Sequence, residues 1–271
     1  MSATPPPSAN AARQRVHWDA VLDADNVGRE RVTARGLLRE AQFTRLPENR
    51  ALWRAVAECD DPLVVDLGGG LGAIAVALVL STSARVVVAD VSGERLRALR
   101  SALTELGARH PDLPHRIHPV QTSAESLALR SGAADILWTK SVLIHTELEA
   151  SMAEITRCLG SEGRAVLCEP TDANPLVRLH RRFLAPKEWR EITRYFSPER
   201  EQTVLEALGD PETERHHVIG FLAFVWQFAL RSVWLLRLSL LVLEPIDRLM
   251  MRVWPAWRRR AWFVVMKGRG R

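Results

Sequence analysis

Cysteine is scarce: Cys59, Cys158 and Cys168 are the only three in 271 residues. They are odd in number, widely spaced and without a Cys-x-x-Cys pair, which excludes a disulfide scaffold and fits a reducing cytosol. His, Cys, Asp and Glu nowhere take metal-ligand spacing, so no metal is expected. A membrane-spanning run is missing too. Within the apolar C-terminal region the longest uncharged stretch, Val218 to Leu230, has 13 residues, whereas a spanning helix needs roughly 18. Arg231 and Arg237 interrupt the apolar residues beyond it, each at a cost of a few kcal/mol inside a bilayer. Met1 to Ala12 has neither a basic segment nor an apolar one, which excludes a signal peptide. Its Ser, Thr, Pro and Ala content predicts a disordered tail over residues 1–12.

The composition present is globular in kind, with 47% hydrophobic and 25% charged residues. The net charge of +5 is uneven: residues 213–271 hold 11 Lys+Arg against 3 Asp+Glu, and the remainder 26 against 29. Apolar spacing predicts helices over residues 13–60 (Leu37, Leu38 and Ala41; Leu52, Val56 and Ala57). From residue 62 short apolar runs alternate with helical patterns. Strands are expected near residues 62–67, 84–90, 116–120, 134–138 and 164–168, with helices between them, over Ser92 to Leu106 for example. Such alternation means an α/β protein with a parallel sheet covered on both faces. Beyond Pro170 a helix opens at Pro175, more helix is expected near 186–208, a sixth strand near 217–224 and a last one near 261–266.

The first strand ends in Asp66-Leu67-Gly68-Gly69-Gly70-Leu71-Gly72. Gly68, Gly70 and Gly72 turn the chain sharply into a helix whose N-terminal N–H groups face a ligand. Asp90 ends the second strand, where a carboxylate can accept both hydroxyls of a ribose. Gly68, Gly70 and Ala73 also satisfy the dinucleotide spacing G-x-G-x-x-A. Against that reading, Asp66 would set a like charge beside a pyrophosphate, and it suits a ligand with a free ammonium group.

The segment Val64 to Gly72 resembles motif I of class I S-adenosylmethionine-dependent methyltransferases. Val86 to Ser92, with Asp90 as the ribose acid, is similar to the family's second motif. Ser123-Ala124-Glu125-Ser126-Leu127 resembles the segment after strand three, with Ser123 where the family has an acid near the adenine. Ala134 to Trp138, Leu143-Ile144-His145 and Ile155 to Pro170 continue the likeness, which spans about residues 60–170. It implies a doubly wound, Rossmann-like, mostly parallel seven-stranded sheet whose last strand is antiparallel. It also implies S-adenosyl-L-methionine as cofactor, held by Asp66, Gly68, Gly70, Gly72, Asp90, Ser123, Ala124 and Thr139.

The expected organisation is therefore a helical lid over 13–60, with Trp18 folding over the cofactor, and a cofactor core over 61–170. Residues 171–271 then supply substrate-side helices, an apolar helical insertion over about 222–258 and the final strand. The expected activity is in-line methyl transfer to a hydrophobic small molecule such as a lipid, quinone or secondary metabolite. His145 is the candidate general base and Glu169 a second catalytic candidate at the crevice rim; His180 and Tyr195 are weaker ones. For the insertion, two readings stay open: a cap lining the substrate pocket, or peripheral attachment of residues 222–262 to the inner face of a membrane, where Trp and Arg alternate. A nicotinamide-dependent oxidoreductase and a nonenzymatic membrane-associated binder also stay open. No nucleic-acid module is recognisable.

Overall fold

The β-branched runs Val64-Val65 and Val86-Val87-Val88 favour extended backbone. They carry apolar side chains on both faces, as strands buried between two helical layers must. A computed structural model of the chain describes residues 8–24, 33–184 and 192–270. Helix α1 (Ala9–Ala24) leads to α2 (Ala34–Ala41) and α3 (Arg50–Ala57). Strand β1 (Leu63–Leu67), α4 (Ala73–Ser81), β2 (Arg85–Asp90), α5 (Gly93–Gly107), the short α6 (Asp112–Arg116) and β3 (Ile117–Gln121) follow. Then come β4 (Ala134–Lys140), α7 (Leu148–Cys158), β5 (Leu159–Pro170), α8 (Pro175–Leu184) and α9 (Pro198–Ala207). The chain closes with β6 (Gly209–His216), the single turn α10 (Val225–Phe228), α11 (Val233–Val253) and β7 (Phe263–Arg269).

The strands form one seven-stranded sheet in the order β3-β2-β1-β4-β5-β7-β6. β3, β2, β1, β4 and β5 pair in parallel, and β7 runs antiparallel between β5 and β6. Leu37, Leu52, Val76, Leu78, Leu96 and Leu99 bury one face, and Leu137, Leu143, Ile155, Phe196 and Val204 the other. Trp138, 1% exposed, fills the middle of the first layer.

Two expectations are corrected. The sixth strand is Gly209–His216, not 217–224. It is the sheet's edge, where one side of the hydrogen-bond ladder faces solvent, so a polar sequence containing Pro211 is admissible. The apolar stretch beyond it instead forms a tight turn, Gly220–Phe224, and buries Ala223 and Phe224 against Phe43, Leu46, Leu236 and Leu240. Residues 9–12, expected in a disordered tail, belong to helix α1, which begins at Ala9. Helix was also expected over residues 186–191; these, with 1–7, lie outside the described residues.

Asn174 fastens both ends of the insertion. Its amide donates to the carbonyls of Val218 and Arg260 at 3.0 Å each, while its oxygen caps α8 at Leu176 and Val177. Asp247 on α11 accepts the backbone N–H groups of Val218, Ile219 and Gly220.

Glu48, in the turn before α3, is fully buried. It accepts from Lys140 at 2.7 Å and pairs with His217 Nε2 at 2.8 Å. Burial works to raise its pKa, yet the charge and hydrogen bonds of Lys140 and His217 outweigh burial and hold it below the ordinary carboxylate range. Replacing Glu48 by Ala leaves His217 buried without its partner, whereas Lys140 can turn partly to solvent. Breaking such a pair costs about 3–5 kcal/mol, which urea unfolding of Glu48→Ala against the parent should register.

Candidate active site

Parallel register brings the carboxyl ends of three strands to one line. Leu67 pairs with Ala89 on one side and with Thr139 on the other. The strand order reverses at β1, so a crevice opens beyond the ends of β1 and β4, where doubly wound sheets bind ligands. Gly68, Asp90, Ser123, Ala124, Lys140 and His145 help to line it, and α1 covers it with Ala11, Gln14 and Trp18.

The glycine loop is shaped by what lies behind it. Gly68 has φ +69°, and a Cβ there would overlap Val142 Cγ2. At Gly69 a Cβ would meet Asp66 Oδ2 at 2.5 Å. The loop can therefore pack against Val142 and Asp66 only because Gly68 and Gly69 lack a Cβ. Gly70 donates its N–H to Asp90 Oδ2 at 2.8 Å, and Ser92 donates to Oδ1 at 2.8 Å. Burial raises the Asp90 pKa, with these two donors and Arg95 opposing it.

Asp66 is buried directly behind the loop. Burial first, and the neighbouring Asp90 second, push its pKa up to about 8. Its Oδ2 has no hydrogen-bond partner among the described residues. A buried oxygen left so calls for a cation or a donor. A methionyl ammonium answers that call, and ribose hydroxyls suit Asp90, so the residues present fit S-adenosylmethionine.

Of the expected cofactor residues, Gly68, Asp90, Ser123 and Ala124 lie on the crevice wall, while Asp66, Gly70 and Gly72 lie behind it in the same loop. Thr139 is buried off the wall and donates to Glu169 at 2.9 Å. Glu169 is likewise not at the rim. Its Oε1 accepts from Thr139 and from the N–H groups of Val142 and Leu143, so its place is beneath the β4 loop. Burial raises its pKa to about 7 despite these donors. Tyr195 lies under the Arg181 guanidinium, 3.5 Å from the ring centre, away from the crevice wall. The side chain of His180 lies outside the described set.

His145 does reach the crevice. Its Nδ1 is 3.2 Å from the Ile192 carbonyl, which can only accept, so Nδ1 carries the proton and Nε2 the lone pair. Burial lowers its pKa, favouring that neutral form. Trp18 meets the ring edge-on at 5.4 Å.

Spacing alone missed Gln14, Arg95 and Lys140. Arg95 lies 4.5 Å from the Trp18 ring centre, joining α5 to α1 across the crevice. Asp19 accepts from Ser92 Oγ at 2.6 Å, and Glu125 accepts from Asn10 at 2.9 Å, so α1 is pinned at both ends. The insertion does not cap this crevice: no residue of 222–258 lines it, and its inner face packs on Phe43 and Leu46 instead.

Residues 65–167 match the family model described as a methyltransferase domain. With the sheet order and the glycine loop, this makes residues 65–167 a methyltransferase domain with the fold of the class I S-adenosylmethionine-dependent enzymes. The match supports the methyltransferase reading over a nicotinamide-dependent oxidoreductase or a nonenzymatic binder. No curated protein matches the chain. Among solved structures, geranyl diphosphate C-methyltransferase from Streptomyces coelicolor A3(2) is 14% identical with a TM-score of 0.60, over 98% of this chain and 100% of that one. A putative sarcosine dimethylglycine methyltransferase from Galdieria sulphuraria is 14% identical with a TM-score of 0.56, over 95% and 97%. Phosphoethanolamine N-methyltransferase 2 from Haemonchus contortus is 12% identical with a TM-score of 0.56, over 94% and 60%.

Two outcomes are expected. Asp66 has a folded pKa of about 8 against the ordinary 3.8, so its stabilising share is complete below about pH 4 and is lost as pH rises through 8. Between about pH 6 and 8, Asp66→Asn should remove a fall of up to about 1.4 kcal/mol per pH unit, read by urea denaturation at each pH. Asp90→Ala should weaken S-adenosylmethionine binding by about tenfold to a hundredfold in calorimetry, the worth of hydrogen bonds to a charged group.

Proposed function

We propose that the methyl acceptor is a hydrophobic small molecule, of the lipid, quinone or secondary-metabolite class, and that it reacts at an oxygen. The observation that carries this reading is the row Leu176, Leu179 and Phe183, three large apolar side chains exposed on α8. That helix packs through Arg181 on Tyr195. The same segment holds Ile192, whose carbonyl accepts from His145, and Arg194, whose N–H bonds the Ile144 carbonyl. α8 is thus joined through Tyr195 to the segment that contacts His145, and its apolar row lies on the helix face away from Arg181. Acceptors named for the fold relatives include geranyl diphosphate and phosphoethanolamine. The fold therefore leaves the choice to this chain's own surface.

When bound, S-adenosylmethionine supplies a methyl group on a sulfonium, already activated for displacement. The chain's share is alignment, exclusion of water and removal of a proton. α1, pinned through Asp19 and Glu125, covers the crevice and excludes water. Lys140, at the end of β4, lines the crevice with its ammonium fixed by Glu48 and Asn49, which holds that wall in place. His145 Nε2, with its lone pair free, takes the proton of the acceptor oxygen.

The test is release of S-adenosylhomocysteine with matched panels of apolar hydroxylated acceptors and polar ones. Turnover confined to polar acceptors would end this reading. His145→Gln should lower kcat by about a hundredfold or more, the usual range for a general base. It should also abolish the loss of kcat at low pH that protonation of His145 imposes. A profile unchanged in shape would remove His145 as the base.

A further inference from the structure

Nearly all the large apolar side chains left exposed among the described residues lie beyond residue 170; only Val16 and Leu80 do not. Most are on α11 and the turn before it. Trp234, Leu238, Leu241, Val242, Ile246, Leu249 and Val253 recur every three or four residues and so share one face of the helix. Trp234 is 69% and Leu241 72% exposed. The opposite face, Leu236, Leu240, Asp247 and Met251, is buried. Packing within the chain thus accounts for the inner face only.

The charges around the outer face have one sign. Residues 217–260 contain seven arginines and two acids, Glu244 and Asp247. Both acids are spent inside the protein. Glu244 forms a bidentate pair with Arg50, and Asp247 is buried on three backbone N–H groups. Arg237, Arg248 and Arg252 stay exposed along α11, and Arg258, Arg259 and Arg260 in the turn Pro255–Arg260. Trp254 is exposed between these two groups.

We propose that this outer face of α11, with the turn after it, docks on an anionic phospholipid surface. The helix lies in the plane of the interface: its apolar row enters the headgroup boundary and its arginines meet lipid phosphates. Tryptophan beside arginine suits that depth. Among the described residues no helix is long and apolar enough to cross a membrane, so the geometry is that of lying on the surface. A second copy of the chain is disfavoured by the same charges. In a two-fold contact each patch meets itself, which sets arginines against arginines with no exposed acid of the segment to receive them.

The test is flotation of the full chain with two kinds of vesicle, pure phosphatidylcholine and phosphatidylcholine with about one-third phosphatidylglycerol. Binding to the anionic vesicles should exceed binding to the neutral ones at least tenfold at low salt, and fall as salt rises. Leu241→Ser with Leu249→Ser, and separately Arg252→Glu with Arg259→Glu, should each reduce it at least tenfold. All four side chains are exposed, so the thermal transition and S-adenosylmethionine binding should stay as in the parent, separating lost docking from lost fold. Three results would overturn the proposal: no binding to anionic vesicles at low salt, binding that neither double variant weakens, or a dimer in light scattering that the Leu241 and Leu249 changes dissociate.

Discussion

A charge taken wholly out of water organises this protein. Glu48 is buried, and an isolated carboxylate there would be far too costly to keep ionised. Two partners make it tolerable, and they come from distant parts of the chain. Lys140 is the last residue of β4 and part of the crevice wall; His217 is the first residue after the edge strand β6. Glu48 itself belongs to the N-terminal helical region. One carboxylate thus holds the N-terminal helical region, the carboxyl end of β4 and the root of the C-terminal insertion in register. Because the partner left behind would be stranded, the arrangement resists rearrangement more than its modest net contribution to stability suggests.

The crevice depends on a second pair of acids in a different balance. Asp90 has found donors in Gly70 and Ser92, while Asp66 has one oxygen without any. Burial first, and repulsion from Asp90 second, push Asp66 toward its neutral form. A ligand with a positive end relieves both costs at once. A ligand with a pyrophosphate would add to them. The same electrostatics that burden the loop therefore select the cofactor, and Gly68 and Gly69 pack against Val142 and Asp66 only because they lack a Cβ.

The parallel half of the sheet was legible because its central strands must be apolar on both faces, and because β1 runs into Gly68 and β2 ends in Asp90. The outer strand β6 was not. Gly-Asp-Pro-Glu-Thr-Glu-Arg-His carries no hydrophobic period, since its burial is slight and its structure comes from pairing with β7. The apolar run beside it drew the strand assignment eight residues too far along. At the site, the glycines and Asp90 were readable from spacing. Lys140 and Arg95 were not, because each owes its position to a partner far away in sequence, Glu48 for one and Trp18 for the other. Glu169 was misplaced for a related reason. A strand-end carboxylate and a loop-capping carboxylate look alike in sequence, and only the three donors around Oε1 tell them apart.

The insertion shows how little one helix face says about the other. Its apolar residues were too many for a half-buried helix and too interrupted for a spanning one. A cap over the pocket would have accounted for that surplus by burying both faces between core and substrate. The inner face is instead satisfied by Phe43, Leu46, Ala223 and Phe224, well away from the crevice wall. Leucine, isoleucine and tryptophan on the outer face then serve nothing inside the protein. Each exposes apolar area worth about 25 cal/mol per Å² if it could be covered. A helix with one face set into its own fold and the other apolar and flanked by arginines is the arrangement on which the proposed docking to a lipid surface rests.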